Sequence, residues 1–210
     1  MTTSLLTHYE EKSKKTIEEA EKICDESKEK TDVVFKDKEK NDLDIRLTYA
    51  QDCLGGIGFN GGIPWHSKID LKRFKQLTEG GCVLMGSKTW NSIPAESRPL
   101  KNRINIVFSR QIPIFTKEEN LTYYIKSDKP IDFILGCLKS FREPIWIIGG
   151  AYLYDLFLPY ANTIERTLVY GAFKCDTFVK PIDLMQWQCM KKESHIENSR
   201  LIEFETFKRK

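Results

Sequence analysis

The first 45 of the 210 residues contain no glycine, no proline and no tryptophan, although the chain as a whole has 12, 8 and 4 of them. A stretch without turn-forming residues is not the opening of a loop-rich core. Its charge differs too, with 9 Lys and 13 Asp/Glu for a net −4, against 24 Lys/Arg and 17 Asp/Glu for a net +7 in the remainder. No apolar run approaches the ~18 residues a transmembrane helix needs, so no membrane association is expected. The start, MTTSLLTHYEEKSKK, has no charged n-region ahead of a long apolar stretch, and its acids argue against a transit-type leader; a cytoplasmic protein is expected. The six cysteines (24, 53, 82, 137, 175 and 189) include no CxxC pair, which reads as scattered reduced thiols. The three histidines, His8, His66 and His195, show no ligand spacing, so no metal site is expected.

What is present begins with a charged helix expected from about Lys14 to Lys30. Thr16 and Glu19 are spaced as a capping box, and the apolar stripe of Ile17, Ala20, Ile23 and Cys24 is too narrow to bury much. Residues 1–45 are therefore expected to be an appendage, partly helical or disordered, and residues 46–210 the folded domain. From Ile45 short strands and helices alternate. IRLTYA, CVLM, INIVFS (104–109), LTYYI (121–125), PIWII (144–148) and TIERTLVY read as strands. Ile131, Ile134, Leu135 and Leu138 recur at helical spacing, and AYLYDLFL reads as a helix after Gly149-Gly150. MQWQCMKKE and RLIEFETFK alternate with no helix between them. This pattern predicts an α/β fold: a central, mostly parallel sheet with an antiparallel C-terminal hairpin at one edge and helices on both faces.

Two familiar motifs are declined. Gly56-Ile57-Gly58-Phe59-Asn60-Gly61 spells GxGxxG, but it runs into Gly62-Ile63-Pro64-Trp65, which does not continue as the required helix. Five glycines within Gly55–Gly62 describe a mobile loop instead. Gly81 to Thr89 nearly spells a P-loop, yet its middle is apolar strand. What survives there is a strand ending at Gly86 and a helix opening with Ser87-Lys88-Thr89, where a cation, hydroxyls and free N–H groups suit an anion.

The segment from Ile69 onward carries the chemistry. Asp70, Leu71 and Phe74 share one helix face, and Lys72, Arg73 and Gln76 are expected on the opposite, wet face. A carboxylate on an apolar face is either a first-turn charge favoured by the helix dipole or a group held in an apolar pocket to bind a heterocycle by paired hydrogen bonds.

The segments IGFNGGIPW (57–65), DLKRFKQLT (70–78), MGSKTWNSIP (85–94), RPLKNRINIVFSR (98–110), IIGGAYLY (147–154) and FETFKRK (204–210) occur in one order. Together they resemble the dihydrofolate reductase family over about 165 residues, from Arg46 to the C-terminus. The resemblance implies a dihydrofolate-reductase-like α/β fold and NADPH-dependent reduction of dihydrofolate to tetrahydrofolate by a monomer, with no nucleic-acid partner. It implies that Asp70 binds the pterin N3 and 2-amino group with Thr167 as its hydroxyl neighbour. Leu71, Phe74, Ile93, Leu100 and Ile148 match the apolar walls around the pterin and benzoyl rings. Arg103 matches the arginine that clamps the glutamate α-carboxylate. Thr48 and Ala50 supply backbone groups near pterin and carboxamide. Ile57, Gly58, Gly61 and Ile63 belong to the matching loop that closes over nicotinamide, followed by Trp65. Lys88 and Thr89 match pyrophosphate contacts, and Ser109 and Arg110 hold the adenosine 2′-phosphate. Gly149-Gly150 matches a cis pair, and Ala151, Tyr152, Leu153 and Tyr154 form the helix facing the cofactor phosphates. Ser87 departs from the family's usual basic residue, which removes one cation from the cofactor site. No second acid is expected in the pocket, so the resemblance implies that the proton added to pterin N5 comes from water. The net +7 of the domain suits an anionic cofactor and substrate, and by itself suits nucleic acid equally. The same fold also serves a reductase of the riboflavin pathway, against which the Asp70 and Arg103 matches argue.

Overall fold

The computed structural model describes residues 43–111, 115–118 and 121–210. The expected helix at Lys14–Lys30 lies outside them. Two compact units are distinguished. One holds residues 44–127 and 143–210, and the other includes residues 128–142.

In the first unit the β-branched and aromatic runs become strands: β1 (Ile45–Asp52), β2 (Gly56–Gly58), β3 (Cys82–Gly86), β4 (Ile104–Ser109), β5 (Phe115–Glu118), β6 (Thr122–Lys126), β7 (Ile145–Gly149), β8 (Thr163–Val169), β9 (Thr177–Phe178), β10 (Trp187–Glu197) and β11 (Arg200–Arg209). Nine of them form one sheet in the order β10-β11-β8-β1-β7-β3-β4-β6-β5. The six central strands run parallel, β8 through β6, and the antiparallel strands are confined to the edges. The C-terminal hairpin turns through Asn198 and Ser199, both at positive φ (51° and 60°), as a two-residue hairpin turn requires. The expected strands and hairpin are all present, within a residue or two at their ends except for β10, which runs four residues beyond the expected MQWQCMKKE. Three short strands, β2, β5 and β9, were not anticipated. β2 and β9 pair with each other as a separate two-stranded ribbon.

Helices α1 (Lys68–Thr78), α2 (Ser87–Ser92) and α4 (Ala151–Phe157) belong to this unit. Alternation along the central strands sorts them onto two faces. Val83, Met85, Val107 and Trp146 form one buried cluster, on which Leu77 of α1 and Trp90 of α2 pack. The next residue along β4, Phe108, points the other way and meets Phe157 of α4 at 6.0 Å between rings. In the second unit, α3 (Ile131–Leu138) buries Ile134, Leu135, Cys137 and Leu138, the apolar spacing the sequence showed. No described helix is long and apolar enough to cross a membrane.

The chain leaves β7 for β8 on the far side of β1, after β3, β4 and β6 were laid down on the other side. This reversal falls at the C-terminal ends of β1, β7 and β3, the place where open parallel sheets hold ligands. Most of the site residues expected above lie on these strand ends or on the segments that follow them, with Thr167 on β8 and Ser109 at the end of β4.

Candidate active site

Helix α1 is set in place by its own start. Ser67 is the N-cap and accepts from the Asp70 N–H at 3.2 Å. Glu197, at the end of β10, accepts from the Lys68 and Ile69 N–H groups at 3.0 and 3.2 Å, so three first-turn donors are satisfied. Asp70 has the capping-box position, yet its carboxylate takes a hydrogen bond from Thr167 on β8. Burial pushes the Asp70 carboxyl above the usual aspartate value, opposed by the Thr167 hydrogen bond and the nearby Arg73 charge and assisted by Glu197. Thr167 is itself 2% exposed. Of the two readings of Asp70 left open by helix spacing, the held carboxylate is the one the geometry supports.

Arg73 corrects the expected wet face. It is half-buried, with Nη2 on Glu165 Oε2 at 2.5 Å, Nη1 3.5 Å from Thr167 Oγ1, and its guanidinium 4.7 Å from the Phe204 ring centroid. The face is not solvent because β8 and β11 bring Glu165 and Phe204 to it. Two acids adjoin this cluster, Glu197 acting on Asp70 and Glu165 paired with Arg73. Both are engaged, Glu165 by Arg73 and the Thr206 hydroxyl (2.8 Å) and Glu197 by the start of α1, so neither is placed as a proton donor.

Ile93, Leu100 and Ile148 gather on the Val83–Met85–Val107–Trp146 cluster. Ile148 shares the Trp146 face by strand alternation, and beside it the register against β3 shifts, with Leu84 pairing Ile147 and Met85 pairing Gly149. Phe74 is half-buried and Leu71 is 51% exposed on the same helix face. Arg103 is buried, with Nη1 on Thr78 Oγ1 and Nε on Lys101 O, both at 3.0 Å, and lies 5.8 Å from the Phe74 ring centroid. Trp65 packs on Phe173 at 5.0 Å, and its buried Nε1 has no hydrogen-bond partner, a donor without a protein acceptor.

The two halves of the site meet at Tyr154. Its hydroxyl donates to the Thr48 carbonyl at 3.0 Å, its ring lies 5.1 Å from that of Tyr49, and Asp70 is close enough to disfavour its ionisation. The same hydroxyl is 3.5 Å from where a side chain on Gly149 would begin. The Gly149–Gly150 bond is cis, as expected, and Gly149 has φ +132°. A Cβ on Gly149 would lie 3.2 Å from Thr89 Oγ1, so the starts of α2 and α4 adjoin. Neither start carries a side-chain cap. Leu153 and Tyr154 are buried and their N–H groups bond Gly150 O, which leaves the helix-start N–H groups of Ala151 and Tyr152 for an anion.

Ser109 and exposed Arg110 end β4, and Ser109 pairs in register with Lys126 of β6. Lys126 is a cation the sequence reading missed. Its only sequence signal was its place at the end of a strand neighbouring β4. Lys88 is exposed on α2, and Ala50 lies on β1 between Tyr49 and Gln51. The glycine-rich segment is less free than its composition suggested. Gly58 and Ile57 lie in β2, Phe59 bridges Gly62, and the Asn60 N–H donates to Asp176 at 2.8 Å, while Gly61 and Ile63 are exposed. Buried Asp52, which the sequence reading passed over, accepts from Leu54, Gly56 and Phe173, tying this segment to the 171–178 stretch.

The dihydrofolate reductase family profile matches residues 44–209. The chain belongs to this family. A putative dihydrofolate reductase of Caenorhabditis elegans is 33% identical over 177 residues, 76% of this chain and 89% of the relative. The dihydrofolate reductase of Mycobacterium leprae is 41% identical over 140 residues, 66% and 81% of the two chains. Among solved structures, dihydrofolate reductase from Enterococcus faecalis complexed with NADP(H) and RAB-propyl superposes with a TM-score of 0.65 at 27% identity, covering 81% of this chain and 97% of that one. Within a dihydrofolate reductase, Arg73, Glu165, Glu197, Asp52 and Lys126 are the residues around the site that motif matching did not single out.

Proposed function

We propose that this dihydrofolate reductase reduces 7,8-dihydrofolate to tetrahydrofolate with NADPH. The observation that carries the reading is the Asp70 carboxylate, hydrogen-bonded by Thr167 under the apolar walls and linked through Tyr154 to the Gly149–Gly150 junction. Asp70 holds the pterin N3 and 2-amino group by two charge-assisted hydrogen bonds. Leu71, Phe74, Ile93, Leu100 and Ile148 flank the rings, and Arg103, fixed by Thr78, turns its remaining N–H groups to the glutamate carboxylate. Trp65 Nε1 is a buried N–H with no protein acceptor, a donor left for the substrate.

The residues present fit the cofactor. Two uncapped helix starts adjoin at Gly149, with Thr89 and Lys88 beside them, and Arg110, Ser109 and Lys126 cluster at a strand end suited to a ribose phosphate. When bound, NADPH supplies the hydride that passes to pterin C6. The chain orients the pterin, excludes water with the 57–63 segment, and through Asp70 makes N5 more basic so that it takes its proton from solvent. Residues 46–210 act as the reductase domain with 1–45 as an appendage, and the enzyme works as a cytoplasmic monomer without a nucleic-acid partner. The five free cysteines among the described residues support a reducing compartment.

The test is NADPH oxidation followed by absorbance with and without dihydrofolate. Oxidation that depends on dihydrofolate is expected, and its absence from the folded protein refutes the reading.

A further inference from the structure

We propose that Arg73 is a positioning residue of the substrate site: anchored by Glu165, it directs the Thr167 hydroxyl onto Asp70 and supplies the positive charge that keeps that carboxylate ionised beneath the pterin. A guanidinium has donors only. With Arg73 Nη1 facing Thr167 Oγ1 at 3.5 Å, the threonine oxygen accepts there and its one proton is left for Asp70. The guanidinium cannot swing away. Nη2 is fixed on Glu165 Oε2 at 2.5 Å, Glu165 is fixed in turn by Thr206 at 2.8 Å, and the Phe204 ring lies 4.7 Å from the guanidinium carbon. Glu165 and Thr167 are two apart on β8 and so share the face toward α1, which makes the pairing a property of the sheet.

The charges around Asp70 decide the sign. Arg73 is the cation that acts on it from its own helix. Glu197 opposes from the end of β10, and Glu193 of β10 acts on Arg73. Tyr154 faces Asp70 from α4. On β8 and β11, Arg166 and Glu205 pair with each other on the opposite sheet face, joined by Lys192, which also meets Glu203. On the face toward α1, His195 packs against the Phe204 ring, at 4.6 Å between centroids. Apart from Arg73, the charges that act on Asp70 are negative, so its removal favours the neutral acid.

The inference rests on Asp70 as the pterin-binding carboxylate, and the test separates the two. Dihydrofolate binding to the NADP+-loaded enzyme is titrated by tryptophan fluorescence from about pH 5 to pH 8. Arg73→Met alone strands Glu165 as a buried lone anion, so the informative variants are Arg73→Met/Glu165→Leu, which removes both partners, and Arg73→Lys, which keeps the charge. The double variant is expected to bind about tenfold more weakly near pH 5.5, the effect of losing an adjacent opposite charge, with the deficit closing toward pH 8. Arg73→Lys is expected to follow the unmodified pH dependence. A double variant whose relative affinity is the same at every pH overturns the proposal, as does Arg73→Lys losing acid-side binding as fully as the double variant. Failure of the unmodified enzyme to bind dihydrofolate at any pH refutes the pterin-binding role of Asp70 instead.

Discussion

Replacing Asp70 by Asn removes the charge while keeping the shape, and the site gives the size of the loss. A carboxylate accepts from both pterin donors, whereas an amide offers one oxygen and turns an N–H₂ group toward the other donor. Losing one charge-assisted hydrogen bond costs about 1.5–3 kcal/mol, and leaving a buried donor unpaired costs about 1–3 kcal/mol more. The sum of roughly 2.5–6 kcal/mol corresponds to a fall of about 10²–10⁴-fold in kcat/KM. The NADPH Kd should be nearly unchanged, because no cofactor contact is assigned to Asp70. Activity should recover in part at low pH, where free substrate protonates without help. The same change should stabilise the fold. The Asp70 carboxyl is raised in the folded protein, so the folded state binds its proton more tightly than the unfolded chain does. Ionisation of Asp70 at neutral pH therefore works against folding, and stability from this group is lost as pH rises through its folded value. Asp70→Asn is expected to show a higher Tm at pH 7, an advantage that fades as pH falls toward the ordinary aspartate value. Stopped-flow hydride transfer and thermal melts across pH decide it. Near-normal turnover at neutral pH, or a lower Tm there, would refute the reasoning.

Three further outcomes follow from other parts of the site. Arg110→Ala should erase most of an at least tenfold kcat/KM preference for NADPH over NADH, since a charge-assisted phosphate contact contributes about 1.5–3 kcal/mol; equal use of both cofactors by the unmodified enzyme would remove Arg110 and Ser109 from the phosphate site. Tyr154→Phe leaves the buried Thr48 carbonyl without its 3.0 Å donor and should destabilise the fold by about 1–3 kcal/mol in urea titration; an unchanged midpoint would show that the bond contributes nothing. A chain beginning at Asp42 should keep its catalytic constants, and loss of turnover in it would show that the preceding residues serve the domain.

The sheet was legible because burial and β-branching coincide in its central strands. In CVLMG, INIVFS and IWIIG almost every residue is buried, and continuous apolar runs are what a parallel strand covered on both faces requires. The edge hairpin was legible for the opposite reason, since its alternation marks one wet face. The short strands carry no such signal. β2 is Gly-Ile-Gly and β9 has two residues, and each exists because the other is present and because Asp52 and Asp176 fix the adjoining backbone. A composition rich in glycine correctly indicated a turning chain, and it could not show that a partner 120 residues away holds that chain.

Charge on α1 was misjudged on the same grounds. Helical periodicity separates an apolar face from a polar one, and Arg73 falls on the polar one by that measure. Whether such a face is wet depends on what the sheet sets against it. Here the sheet sets Glu165, Thr167 and Phe204 against it, from strands whose own alternation hides them: Glu165 interrupts the buried pattern of TIERTLV as an acid where an apolar residue is expected. That interruption is the sequence signal for Arg73. A buried acid requires a cation, and among the residues of α1 only a long side chain one turn from the helix start can reach β8 while leaving Asp70 free to face it. The motif containing Asp70 thus locates the carboxylate, whereas the cation beside that carboxylate is held by a residue pair 92 positions apart that no local pattern joins.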